Sequence, residues 1–572
     1  MTLADLYEGL FLDSRLGKFT AARDKIDKAK ELLDWDSHEQ GFADNALHLK
    51  LHSVIAFIDD SLGDYDAAER WVTFHGPQVM TRLMESLESI TTADGRVRDE
   101  RRDLLFARTW FVLRYAVSRY RRSKFTESRD ALALCAECSG LLVDMDYGQE
   151  NAVRTAVDGV LMLASVCYWK SCGLVYTTSL EEAEKGFMEA LRLISERAHD
   201  RTSRDWSDAE AVHADYISGK ILLGLGLVKF RQGALASAKS HLLAARSLLR
   251  RAPDDEIRLN RAKLLLLSVE RILVHSQGDP LFAVIKELEK LKFPSHKTYQ
   301  CRTLLTLANA YVSLSDAKWD LPELGKEACL AKAKALTEEA KELCDETKLT
   351  DYLECRMLVS RILRKQGNRR EAATIARSTL DDFKTKHEWE QHPFHHTQAL
   401  MTDGHAWYKL GKDSQKREDL DKAADSFSKA IGLSHGSALL QGRCHLYLAR
   451  VYHELRQPRE AWDHYQMWEK IENLVESGAV GELATRVRQE LEVGMLVIRG
   501  EQVPDKDAYY ACELRLRDFL LNHVLKGLSD TAKEKRLGKT RGTITKWEHE
   551  VALGQRIGKK NRSRKSGATK SK

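Results

Sequence analysis

A short pattern returns every 38 to 60 residues along the first 475 residues of this chain. It consists of a small residue or turn, an aromatic or Leu two positions on, Ala three further, a large residue four further, and often another Ala. The first instance is Gly17, Phe19, Ala22, Ile26 and Ala29, and the fifth is Gly233, Leu235, Ala238, Leu242 and Ala245. Between them lie Gly63, Tyr65 and Ala68, then Phe125, Ser128 and Leu132, then Leu180, Ala183, Phe187 and Ala190. Later instances are Gly278 with Pro280 and Ala283, Gly367 with Ala372, Leu420 with Ala423, Phe427 and Ala430, and Ala461 with Tyr465. Gln300 to Glu346 fits a further helix pair with an insert near Trp319. Such a pattern predicts pairs of antiparallel helices. Glycine permits the tight turn between them, alanines let the two axes approach, and the aromatic fills the gap beside them. Each pair carries an apolar face that it cannot bury alone, so successive pairs must stack.

Over residues 1–475 these residues resemble the tetratricopeptide repeat, matching its second helix better than its first. The spacing is longer than the 34 residues of that family, which predicts longer helices or loops. The resemblance implies an all-α, TPR-like α-solenoid of about ten helix pairs. It also implies a protein or peptide ligand on a concave face lined by the first helices. Arg114, Arg121, Arg231, Arg361, Arg364 and Lys365 form a loose basic set on that expected face. An ordinary solvated surface would look the same, because no clamp-like set repeats from unit to unit.

Composition narrows the functional classes. Only eight prolines in 572 residues disfavour a strand-and-turn fold. There is no apolar run of the ~20 residues that a bilayer span needs. The start, with Asp5 and Glu8, lacks the basic-then-apolar order of a signal peptide, so the expectation is a cytoplasmic protein without a membrane partner. Ten scattered cysteines include one Cys-x-x-Cys, Cys135 and Cys138, within an apolar helical pattern. With no second pair nearby they read as buried thiols and not as a zinc site. His387, His392, His395 and His396 read as a linker loop. No phosphate-binding glycine loop, dinucleotide fingerprint or Gly-x-Ser-x-Gly elbow is present. No enzyme, cofactor or metal is therefore expected.

The charge is divided unevenly. Residues 511–572 carry 17 Lys and Arg against 6 Asp and Glu, while the whole chain has a net charge of +5. The body is thus mildly acidic and the end strongly basic, which suits a polyanion. Within that end, Tyr510, Leu514, Leu516, Phe519, Leu520 and Val524 fall at helical spacing. Ser529 can cap a short helix reaching Leu537, Gly538 breaks it, and Thr540 can cap a last helix through Ile544, Trp547 and Val551. Leu537-Gly538-Lys539-Thr540-Arg541-Gly542-Thr543-Ile544-Thr545-Lys546 is similar to the Fis-type helix-turn-helix. Glu534 stands where that family has a small residue at the helix crossing.

That resemblance implies DNA contacts. Arg541, Thr543, Thr545 and Lys546 would face the bases, while Lys535, Arg536 and Lys539, with Thr540 at the helix start, would lie near phosphates. It also implies a homodimer. A basic helix would serve equally as the polar cap of a solenoid. The organisation expected is a repeat domain over 1–475, a connecting helix and linker over 476–504, a helix-turn-helix over 505–557, and a disordered basic tail over 558–572. The leading functional expectation is a DNA-binding regulator whose solenoid holds a protein or peptide. The alternative is a scaffold for protein assembly with a basic end and no DNA role.

Overall fold

In the computed structural model, residues 2–472 are described apart from some of the links between helices, together with Ser529 and Thr545. The longest links left out are 33–41, 92–98, 147–152, 200–207, 317–324 and 386–392. Among the described residues the fold is all-α, with 21 α-helices and no strand.

The first two pairs are α1 (Leu3–Arg15) with α2 (Phe19–Leu32) and α3 (Ala46–Leu62) with α4 (Tyr65–Thr73). A single helix follows, α5 (Gly76–Thr91). Three long pairs come next: α6 (Asp99–Arg121) with α7 (Phe125–Asp146), α8 (Val153–Thr177) with α9 (Leu180–His199), and α10 (Asp208–Gln232) with α11 (Leu235–Leu249). Then follow α12 (Glu256–Leu273) with α13 (Gly278–Glu289), α14 (Lys297–Leu314) with α15 (Lys326–Leu343), and α16 (Leu349–Gln366) with α17 (Arg369–Thr385). The last pairs are α18 (Pro393–Ser414) with α19 (Arg417–Leu433) and α20 (Ala438–Glu454) with α21 (Pro458–Glu472). The ten pairs agree with the repeat pattern, and α5 is an addition to it. It occupies the longest gap between turn positions, where the chain between α4 and α6 needed an element of its own. The long period has a second source, since the helices α6 to α10 run to 20–25 residues.

The pattern residues form the seams. Phe19, Ala22, Ile26 and Ala29 are buried, as are Leu180, Ala183, Phe187 and Ala190, and Leu235, Ala238, Leu242 and Ala245. Gly233 and Gly367 turn between paired helices with φ of 95° each, a conformation that side chains resist. At Gly233 the turn is closed by the amides of Gly233 and Ala234 donating to the Lys229 carbonyl, both at 3.0 Å. The register differs in α13: Ala283 is exposed, and Leu281, Val284, Ile285 and Leu288 face the core instead. Those four large apolar residues outweigh one alanine in choosing the buried face.

The described residues divide into two units. One holds Met1–Ala406 and Lys429–Gln441, and the other holds Trp407–Ser428 and Gly442–Asn473. In the second unit Phe427 stacks on Tyr447 with ring centres 5.5 Å apart. Trp468 lies so close to Gly442 that a Cβ there would meet its ring at 2.6 Å.

Three sequence expectations change. His395 and His396 lie in the first turn of α18 and not in a loop. His396 is buried with its ring stacked on Phe383 at 5.5 Å, while His387 and His392 lie outside the described residues. One stretch, Ala211–Gln232, is after all long and apolar enough to cross a membrane, by length and composition. It forms most of α10, which packs against α8, α9, α11 and α12, and this burial accounts for its apolar character. The insert near Trp319 lies outside the described residues, as do 476–504, 558–572 and all of 505–557 except Ser529 and Thr545.

Candidate functional site

The first unit closes on itself across a long stretch of chain. Helix α1 packs against α10, and Asp60 of α3 accepts a hydrogen bond from Arg258 of α12 at 3.3 Å, 198 residues later. Phe19, Phe57 and Tyr216 join α2, α3 and α10, Phe57 edge to face with both other rings and Phe19 tilted against Tyr216, with centroids 5.8 to 6.3 Å apart. Tyr216 Oη also lies 3.4 Å from the Ser61 hydroxyl. Ring pairs of this geometry hold beyond their buried area.

Cationic side chains converge on this junction. Lys220 of α10 is buried, its ammonium 5.1 to 5.9 Å from the ring centres of Tyr168, Trp169, Tyr216 and Phe57. Arg114 of α6 lies over Phe57 at 4.6 Å, and Arg15 of α1 over Phe11 at 4.2 Å. The rings offer a negative face to each cation. His213 is held well below its ordinary pKa, first by burial and then by the charges of Arg15, Lys220 and Arg114. Burial also lowers the Arg114 guanidinium to about 10, with Asp60 and Tyr216 opposing that shift. Arg114 Nε has no hydrogen-bond partner among the described residues, yet the side chain retains solvent-accessible surface. Cations thus lie against aromatic rings around the buried His213.

A second group lies further along the same unit. Arg302 of α14 donates to Asp351 of α16 at 3.2 Å. Glu354, one turn beyond, is surrounded by protein, and its carboxyl is raised first by burial and then by Asp351. Arg302, Arg231 and Arg271 act against that shift.

The residues expected on the basic face are distributed unevenly. Arg231 is buried, donates to the Val175 carbonyl at 2.7 Å and lies over the Phe394 ring at 4.3 Å. Arg361, Arg364 and Lys365 come together on α16. Arg361 donates to Asn309 at 2.6 Å, and Lys365 pairs with Asp316. Burial lowers the Lys365 ammonium, and Arg364 and Arg361 add to the effect. Arg121 is the last residue of α6, and its side chain lies outside the described set. Of the DNA-facing set, Thr545 is helical and exposed, whereas Lys535, Arg536, Lys539, Thr540, Arg541, Thr543 and Lys546 lie outside the described residues.

Sequence reasoning missed Lys220, Asp60, Arg258, Arg15 and His213. Two of them carried a readable signal, since Lys220 interrupts an apolar helix and Asp60 follows Val54-Ile55-Ala56-Phe57-Ile58. A charge in an otherwise buried run needs a partner, but no spacing says where along the chain that partner is.

No family model matches the chain, and no curated protein matches it. Among solved structures it is similar to a Rap protein complexed with competence and sporulation factor, at 14% identity and a TM-score of 0.39, covering 68% of this chain and 97% of that one. It is also similar to a signal transduction ATPase with a tetratricopeptide repeat sensor from Pyrococcus horikoshii, at 14% identity and a TM-score of 0.37, covering 88% and 73%. The APC/C hetero-tetramer Cut9–Hcn1 follows at 12% identity and a TM-score of 0.29, covering 85% and 90%. The class defined by the chain's own helices and seams is an all-α array of TPR-like helix pairs.

Proposed function

We propose that the first unit is a binding scaffold for a protein or peptide segment of acidic character. The observation that carries this reading is Arg114: a guanidinium whose Nε has no hydrogen-bond partner, over the Phe57 ring, at a junction where the charges acting on His213 are all positive. Desolvated guanidinium groups bind carboxylates well because the planar fork meets two oxygens at once. No catalytic group is needed for this role. The test uses two labelled peptide libraries, one rich in Asp and Glu and one rich in Lys, read by fluorescence anisotropy. Preferential binding of the acidic library, weakened at least tenfold in Arg114→Gln, supports the reading. Equal binding of both libraries, or an unaffected variant, refutes it.

A second reading concerns the carboxyl end and rests on its 17 basic against 6 acidic residues and on the Fis-like segment. There, residues 505–557 would bind duplex DNA, as a homodimer if the Fis resemblance extends that far. Each phosphate contact would add to the salt dependence. Binding of the whole chain to a duplex across a salt series, beside a chain ending at Pro504, decides this. A steep salt slope lost on truncation, and Arg541→Ala or Lys546→Ala weakening binding, support it. No duplex binding by the whole chain leaves the scaffold reading alone.

A further inference from the structure

Three cysteines far apart in sequence meet inside the first unit. Cys301 is on α14, Cys344 caps the end of α15, and Cys355 is on α16. The sulfur of Cys344 lies 3.4 Å from that of Cys301 and 3.6 Å from that of Cys355, and all three are within 4.8 Å of one another. These distances are far beyond the ~2.05 Å of a disulfide. They are close to the spacing of ~3.8 Å that thiolates adopt around one ion at metal–sulfur distances of ~2.3 Å. Cys301 and Cys355 belong to an apolar cluster with Leu304, Leu305, Leu330 and Leu358, a dry shell of the kind that surrounds tight metal sites.

We propose that Cys301, Cys344 and Cys355 form a three-thiolate site for a single thiophilic metal ion. Thiolate donors select Zn(II) and Cu(I) over hard cations. Three donors suit trigonal Cu(I), or Zn(II) with one exogenous ligand in the fourth position. The site is prepared for such an ion before it arrives. The three sulfurs already stand at ligand spacing, and binding displaces the thiol protons. Cys301 adjoins Arg302 and Cys355 adjoins Glu354, so the ion would tie α14, α15 and α16 together directly beneath the second polar group.

The test uses the whole reduced chain under anaerobic conditions. Co(II) serves as the probe for a Zn(II)-type site and Cu(I), held against a competing chelator, for a trigonal one. One equivalent of Co(II) giving a thiolate-to-metal charge-transfer band, with protons released on binding, supports the four-coordinate form. Tight uptake of one Cu(I) without a Co(II) band supports the trigonal form. Cys344→Ser should abolish either signal, and Cys135→Ala, at a buried thiol elsewhere, should leave it intact. If Cys344→Ser does not fold, the ¹¹³Cd resonance of the unaltered protein reads the number of sulfur ligands without any variant. Absence of both signals, a band that survives in folded Cys344→Ser, or a cadmium shift lacking sulfur ligation overturns the proposal.

Discussion

Asp60→Asn should open the first unit at the place where its early and late helices meet. The carboxylate and the Arg258 guanidinium are both nearly fully buried, with side chains 5% and 7% exposed, and they meet at 3.3 Å. At an effective dielectric constant of about 20, that separation gives roughly 5 kcal/mol of attraction. Part of this offsets the cost of drying two ions. The measurable loss on removing one partner is the larger concern, because it strands the other charge in the interior, at about 3–5 kcal/mol. Asparagine keeps the shape and a hydrogen-bond acceptor, so about 3 kcal/mol is expected. The double variant Asp60→Asn with Arg258→Gln should lose less than the sum of the two single changes, because neither then leaves a bare ion. Native-state hydrogen exchange followed by mass spectrometry is the appropriate assay, since two units make a single global midpoint ambiguous. Amides of α3 and α12 should exchange faster by roughly two orders of magnitude, with those of α20 and α21 unchanged. Unchanged exchange in α3 and α12, or strictly additive single variants, would refute the idea that this pair holds the junction.

Other outcomes follow from the same packing. Phe187→Ala, removing a fully buried ring from the seam of α9, should cost about 3–5 kcal/mol, read as faster native-state exchange of the α9 amides. Gly233→Ala, at a φ of 95°, should lower stability by about 1 kcal/mol and shift the melting curve down, while an alanine at the exposed Gln366 should do little. Burial holds His52 and His445 near 4 in the folded chain. The unfolded chain takes up their protons first, so stability should be full above pH ~6.5 and fall as pH drops toward 4. Each histidine contributes at most about 3 kcal/mol to that fall. Native-state hydrogen exchange in α3 and α20, corrected for its intrinsic pH dependence, checks it, and His52→Gln should flatten the slope in α3.

How much could be read in advance differs from element to element for physical reasons. Phe19, Ala22, Ile26 and Ala29 are a local signature, since one helix face both encodes and buries them. The same holds for the turns at Gly233 and Gly367, where backbone geometry selects the residue. In α13 four large apolar residues, and not the one alanine, choose the buried face. Helix α5 carries none of the pattern residues, so no spacing announces it. The junction around Lys220 was hidden for another reason: its parts come from α1, α3, α6, α8, α10 and α12, and only stacking brings them together. Cys301, Cys344 and Cys355 show the extreme case, with spacings of 43 and 11 residues that match no ligand motif. Of the six basic residues expected on one face, three lie on α16, and Lys365 there is engaged by Asp316.

Repeat proteins commonly gain and lose units in evolution, because each unit touches only its neighbours. The bond from Asp60 to Arg258 removes that freedom from the first half of this chain. Deleting or duplicating any pair between α3 and α12 would rotate and shift one partner away from the other and strand two charges. Tyr216 and Phe57 would separate in the same step. The number of helix pairs in that segment is therefore a fixed property, and sequence change there is confined to substitution within pairs. Ser437, just ahead of α20, donates to the Arg231 carbonyl of α10 at 2.6 Å, and this bond places the same restriction on the pairs between α10 and α20.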